Sequence, residues 1–150
     1  SILEQLAEHR RPSGRWPVKS GSREVWPGCC PGRAGWAQLW TLAWQLLSDD
    51  NLLDFATACA GEAIRADTGP LSLCCGRAGT GFAAIALFGA PGDDRWRVAA
   101  EIVVADVLRG GHDEGNPEYS LFRGQLGLAL LAAELAQPER ASMPLVQALR

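Results

Sequence analysis

A four-residue phrase, Gly-Arg-Ala-Gly, occurs twice in this 150-residue chain, and a looser Gly-x-x-Gly follows. The copies are Gly32-Arg33-Ala34-Gly35, Gly76-Arg77-Ala78-Gly79 and Gly124-Gln125-Leu126-Gly127. Their first glycines recur roughly every 45 residues, inside the range of about 20–50 residues in which a fixed period marks one supersecondary unit used again and again. A cysteine stands two residues before the first glycine in the first two copies, Cys30 and Cys74, and Phe122 stands there in the third.

The segments between the glycine phrases follow one plan. Each Gly-x-x-Gly opens a small, nearly all-apolar helix. A polar break and an amphipathic helix follow. In the first unit the apolar helix is predicted over about Ala34–Ser48, where Trp36, Leu39, Trp40, Leu42, Trp44, Leu46 and Leu47 leave almost no polar face. A helix apolar all round is a buried one. Asp49-Asp50-Asn51 supplies a break and an N-cap. The second helix, about Leu52–Ala66, carries Leu52, Leu53, Phe55, Ala56, Cys59, Ala63 and Ile64 at helical spacing. The second unit repeats this with helices over about Ala78–Leu87 and Arg95–Leu108, and with Asp93 or Asp94 as the cap. The third opens a helix at about Leu126–Ala136 and closes with an amphipathic tail, Met143–Leu149. Ile2–His9 reads as the end of an outer helix. Arg10–Gly28, with its prolines, glycines and serines, reads as a long loop, a kind of segment that is usually functional or mobile. Trp36, Trp40 and Trp44 fall on one helix face, a spacing that favours core packing.

Apolar inner helices alternating with amphipathic outer ones are the pattern of an all-α fold, an α/α toroid, here with about three helix-pair repeats at 29–70, 71–115 and 116–150. The Gly-x-x-Gly turns lie at the N-termini of the inner helices. Those N-termini converge on one face of the ring, with unpaired N–H groups and positive dipole ends directed into it.

Composition narrows the function classes. The formal net charge of −3 gives no basic surface for nucleic acid. No apolar run approaches the ~20 residues of a membrane span. The N-terminal residues lack a signal-peptide pattern. The five cysteines include two vicinal pairs, Cys29-Cys30 and Cys74-Cys75, whose geometry opposes mutual bridging. Together these point to reduced thiols, a cytoplasmic setting, and clustered cysteines with a metal or catalytic role. Cys30, Cys74 and Cys75 are placed to give three sulfurs from neighbouring inner-helix N-termini. Zinc accepts thiolates, and a catalytic zinc keeps three protein ligands and one open position. A helix N-terminus is expected to lower a cysteine pKa and favour the ligating thiolate. Cys59, mid-helix among apolar residues, reads as a small buried hydrophobe. Cys29 reads as a neighbour of the site. His112, in a loop between units, reads as a solvated residue.

Cys30-Pro31-Gly32-Arg33-Ala34-Gly35 and Leu73-Cys74-Cys75-Gly76-Arg77-Ala78-Gly79 resemble the paired motifs of the lanthionine synthetase C-like cyclases, Trp-Cys-x-Gly-x-Pro/Ala-Gly and Leu-Cys-His-Gly-x-Ala-Gly. Ser120-Leu121-Phe122-Arg123-Gly124-Gln125-Leu126-Gly127 is similar to that family's later Ser-Leu-x-x-Gly-x-x-Gly, and Gly14-Arg15-Trp16-Pro17 to its Trp-Pro segment. The resemblance covers nearly the whole chain. It implies a zinc ion held by Cys30, Cys74 and Cys75, the last standing where the family has His; Cys29 stands where it has Trp. It also implies that this chain is the C-terminal portion of a cyclase domain. The family ring has about seven units, so earlier repeats or a partner chain would be needed to close it. The implied reaction adds a peptide cysteine thiol to dehydroalanine or dehydrobutyrine, forming a thioether ring on a precursor peptide. Neither His9 nor His112 matches a family catalytic position, so the acid that protonates the enolate is unassigned. Arg33 and Arg77, at equivalent places beside the cysteines, are candidates to contact the peptide or the enolate oxygen; solvated first-turn arginines are the simpler reading. The alternative is a non-catalytic scaffold of the same fold that binds peptide or protein. A toroid enzyme acting on sugars or lipids would want carboxylates at the Gly-x-x-Gly turns, and none stands there.

Overall fold

The computed structural model describes residues 2–11, 16–17, 29–30, 32–66, 69–90, 92–110 and 119–144. Among them the chain forms helices α1 (Ile2–Glu8), α2 (Arg33–Leu47), α3 (Asp50–Arg65), α4 (Arg77–Gly89), α5 (Asp94–Gly110) and α6 (Leu126–Glu134), and no strand. α2 packs on α3 and α4 on α5, so the first two inner helices each have their own outer helix. The inner helices also pack in series, α2 on α4 and α4 on α6. Paired helices stacked side by side in this way form an all-α arc of an α/α toroid.

α4 shows why the inner helices take this place. Ala78 through Ile85 and then Leu87 are all buried. Its neighbours can come close because the helix is built of Gly, Ala and Thr with only a few larger residues. A Cβ on Gly81 would run into the Leu131 side chain of α6. Outer helix α5 buries only one stripe, Trp96, Ala100, Val103 and Val104, and leaves Val98 and Ile102 exposed. The largest fully buried side chains, Trp40, Phe82, Leu73, Ile85, Leu87 and Leu131, come from the inner helices and from the motif loops. Burying a side chain of this size stabilises by about 1.5–3 kcal/mol.

The helix ends follow local chemistry. α2 stops where Ser48 turns left-handed, φ 54°, and returns its N–H to the Trp44 carbonyl. The Asp49 carboxylate accepts from Asn51 N–H and caps α3. Of the two candidate aspartates, Asp93 is the cap of α5, accepting from Arg95 N–H at 3.0 Å, and Asp94 is the first helical residue. The first two inner helices begin one residue earlier than their apolar pattern, because Arg33 and Arg77 are already helical, and α6 begins at Leu126 as expected. α6 ends at Glu134, two residues short of the expected Ala136. Past that point Ala136 and Gln137 donate to Ala133 and Glu134, bonds of the tighter three-residue kind. Of the amphipathic tail expected over 143–149, residues 143–144 are described and are not helical; the rest lies outside the described residues.

The segment read as a long loop contains a core residue. Trp16 is 2% exposed. Its ring lies 5.3 Å from both Trp36 and Trp40 and 5.5 Å from Phe55. Its indole N–H donates to the Leu6 carbonyl at 2.7 Å. Arg10 lies over the Trp16 and Phe55 rings. The tryptophan stripe is thus core, as its spacing predicts: Trp40 is fully buried, and Trp36 and Trp44 pack against it half-buried.

Candidate functional site

The three glycine phrases lie side by side at one end of the inner helices, and main-chain bonds hold them there. Cys30 N–H donates to the Cys74 carbonyl, and Cys74 N–H donates to the Phe122 carbonyl, both at 2.9 Å. Cys30, Cys74 and Phe122 are equivalent positions of successive units, so one bond is repeated along the arc. Cys29 N–H shares the Cys74 carbonyl at 2.9 Å. The second glycines let each phrase close tightly on the residues just before it. A Cβ on Gly35, Gly79 or Gly127 would collide with the carbonyl oxygen of Cys29, Leu73 or Leu121. A Cβ on Gly79 would also lie 3.2 Å from the Cys29 Cβ of the preceding unit.

This packing brings the cysteines together. Cys75 Sγ lies 3.4 Å from Cys74 Sγ and 3.7 Å from the Cys30 carbonyl. The Cys30 thiol is in turn in contact with Cys74. Cys30 is exposed, and Cys74 and Cys75 are half-buried, so the cluster opens to solvent. Cys29 turns its sulfur elsewhere, 3.6 Å from the Met143 sulfur. Cys59 is buried on α3.

The thiols oppose each other's ionisation. The charge of Cys74, then burial, raises the Cys30 pKa above its ordinary value. Burial and the Cys75 thiol raise that of Cys74, while its contact with Cys30 and the charge of Arg123 pull it back. Burial first, then the other three thiols, pushes Cys29 up to about 12. The lowering expected from the helix N-termini is therefore outweighed. A thiolate is disfavoured where a second one forms beside it, and the opposite charge of a cation reverses that.

Three sulfurs of two neighbouring units, partly open to solvent, are a donor set that suits zinc. Among the described residues no three His, Cys, Asp or Glu side chains stand as a ready-made cage. Each sulfur turns on a single χ1 bond, and the backbone bonds above fix where the three cysteine main chains stand relative to one another. By the chemistry of the donor set, Cys30, Cys74 and Cys75 are the residues that could hold a zinc ion.

The two candidate arginines are engaged within their own units. Arg33 pairs with Glu62 of α3 at 3.1 Å, and Arg77 with Asp106 of α5 at 3.4 Å. They tie inner helix to outer helix at equivalent places. A third arginine, which the sequence reading passed over, lies at the cluster. Arg123 is exposed and occupies in the third unit the register position that Cys75 holds in the second. Its N–H is fixed by Ser120 Oγ at 3.1 Å. Aligning the three phrases residue by residue is the signal that finds it. Met143, beside Cys29, has no such signal. His9 lies at the end of α1, bonded to Gln5 O; His112 lies outside the described residues.

The fold defines a helical-repeat protein of the toroid class, with a cluster of cysteines on the Gly-x-x-Gly face. A family model described as lanthionine synthetase C-like protein matches residues 1–148. The chain belongs to that family. No helix among the described residues is long and apolar enough to cross a membrane.

Proposed function

We propose that this chain is the zinc-binding part of a lanthionine-forming peptide cyclase, with Cys30, Cys74 and Cys75 as the metal ligands. The observation that carries the reading is the convergence of the three cysteines of two successive units through the shared Cys74 carbonyl. A zinc ion bound there would supply an open coordination position at which a peptide thiol is held as the nucleophilic thiolate. The chain's own part is to fix three sulfurs at one end of a rigid helical arc and to leave Cys30 open to solvent, so that a peptide cysteine has access. The thiolate then adds to the β-carbon of dehydroalanine or dehydrobutyrine, a carbon–sulfur bond forms as the double bond moves its electrons to the carbonyl, and a proton delivered to the α-carbon completes the thioether. The substrate is a dehydrated precursor peptide. The setting is cytoplasmic, where the thiols stay reduced. Further repeats, in this chain's own protein or a partner, would close the ring around the peptide.

Two measurements test this. Elemental analysis of the reduced chain should give about one zinc, lost in Cys30→Ala/Cys74→Ala. A dehydrated peptide with one cysteine should then lose its free thiol, by alkylation and mass spectrometry, only with zinc-loaded protein. A folded chain that binds zinc without consuming the thiol supports the second reading, a scaffold that binds peptide without catalysis. Cys29, in place of the family tryptophan, favours that reading, since its sulfur faces Met143 and offers no aromatic wall. A folded chain that binds no zinc overturns the metal assignment.

A further inference from the structure

Charge balance at the thiol cluster gives Arg123 a role. Three thiolates leave a divalent ion with one net negative charge, and a bound substrate thiolate adds another. Such a complex, partly enclosed, is stabilised by a positive charge close by, because partial enclosure lowers the effective dielectric below that of water.

The arginines of the first two glycine phrases do not provide it, since Glu62 and Asp106 take up Arg33 and Arg77. Arg123 differs in three ways. Its chain neighbour Phe122 accepts the Cys74 N–H at 2.9 Å, so its backbone is fastened beside a candidate ligand. Its own N–H and that of Gly124 are held by Ser120, which fixes the turn. Its side chain is exposed and forms no ion pair with a carboxylate among the described residues. Its charge bears on Cys74.

We infer that Arg123 is the counter-charge of the three-cysteine set, a positioning residue that strengthens metal binding by offsetting the negative charge of the thiolate complex. This rests on the reading of Cys30, Cys74 and Cys75 as ligands. It also follows the chemistry of that set, because a third thiolate in place of a neutral imidazole adds the charge that Arg123 offsets.

The experiment is a zinc titration of the reduced 150-residue chain against a chromophoric chelator, with helical content checked by circular dichroism. Arg123→Glu should bind zinc roughly 10–100-fold more weakly, the range for losing a residue that supports a metal site. Arg123→Lys, which keeps the charge, should bind within a few-fold of the parent, and Arg123→Gln should fall between. The gap between parent and Arg123→Glu should narrow at about 1 M salt, where the screening length falls to roughly 3 Å. Arg95→Glu makes the same charge change at the first turn of α5, the other end of α4, and should leave affinity unchanged. Equal affinities for parent and Arg123→Glu overturn the inference while leaving the ligand set standing; a parent that binds no zinc overturns both.

Discussion

Cys30 and Cys74 are joined through their backbones, the N–H of the first donating to the carbonyl of the second at 2.9 Å. Cys74 and Phe122 are joined by the same bond. The register between units is thus set by main chain, and the sulfurs are brought together by a seam that does not depend on them. Cysteine substitutions should therefore remove chemistry without removing the fold.

The seam depends on its glycines. Gly79→Ala would drive a methyl group into the Leu73 carbonyl and against Cys29 Cβ. Backbone cannot move aside as a flexible side chain can, so the expected loss is about 1–3 kcal/mol or somewhat more. Gly89, at the end of α4, has nothing within 4 Å of its would-be Cβ. Gly89→Ala should be neutral or stabilising by up to about 1 kcal/mol, through helix propensity. Urea denaturation of the two variants side by side checks the contrast. A Gly79→Ala chain as stable as the parent would show that the turn of the second unit does not close this tightly on Leu73.

Trp16 is expected to be among the costliest single losses in the chain. It stacks on Trp36 and Trp40, meets Phe55 edge-on, and donates its indole N–H to Leu6 O. Trp16→Ala should cost about 3–5 kcal/mol, the range for deleting a large buried aromatic. Trp16→Phe keeps most of the packing and gives up the hydrogen bond, so it should cost clearly less. Denaturant midpoints, with near-ultraviolet circular dichroism to follow the aromatic cluster, measure both. Equal costs would mean that the indole N–H, and not the ring, dominates.

The repeat was legible because it is written twice over, in the glycine phrases and in helices whose apolar residues leave no polar face. Cys30 and Cys74 were legible for the same reason, as equal positions in equal units. Trp16 was hidden because its neighbours Gly14 and Pro17 signal a loop, and only the third dimension shows a loop residue filling the core. The pairing of Arg33 with Glu62 was hidden because the partner sits on another helix, and its angle is fixed by packing. The pKa direction of the cysteines failed on magnitude: a helix dipole acts weakly near a partly exposed terminus, whereas burial at Cys74 and Cys29, and the neighbouring thiol at Cys30, disfavour the thiolate. Arg123 was in view but carried no cysteine to draw attention to its position.

The two inner-to-outer ion pairs should differ in strength. Arg33 and Glu62 are the more enclosed, with 13% and 22% of their side chains exposed. Arg77 and Asp106 show 16% and 37%, and Asp106 also meets Arg109 at 3.3 Å. Solvent screening reduces an exposed pair to about 0–1 kcal/mol, and enclosure raises that. Double-mutant cycles with Arg33→Met/Glu62→Gln and Arg77→Met/Asp106→Asn should give the larger coupling for the first pair. If instead Arg33→Met leaves stability untouched and weakens peptide binding, Arg33 faces substrate in solution and the pair with Glu62 is incidental.

Cys59 serves as the internal contrast to the cluster. Burial pushes its thiol up from 9.0 to about 12, with Glu62 adding to the rise and Arg10 and Arg33 opposing it. Only the thiolate is a good nucleophile, so iodoacetamide at pH 8 should label exposed Cys30 well before Cys59, as read by peptide mass spectrometry. The same shift links stability to pH. Below pH 9 both folded and unfolded chains keep this proton, and the contribution of Cys59 is fully present. Between 9 and about 12 the unfolded chain releases it and the folded chain does not, so stability falls as pH rises, by at most ~1.4 kcal/mol per pH unit from this group. Cys59→Ala should therefore flatten the stability curve between pH 9 and 10.5 relative to the parent, whatever its cost at neutral pH. Parallel curves for the two proteins across that range, or rapid labelling of Cys59 in the folded chain, would place its sulfur in contact with solvent and remove it from the core between α2 and α3.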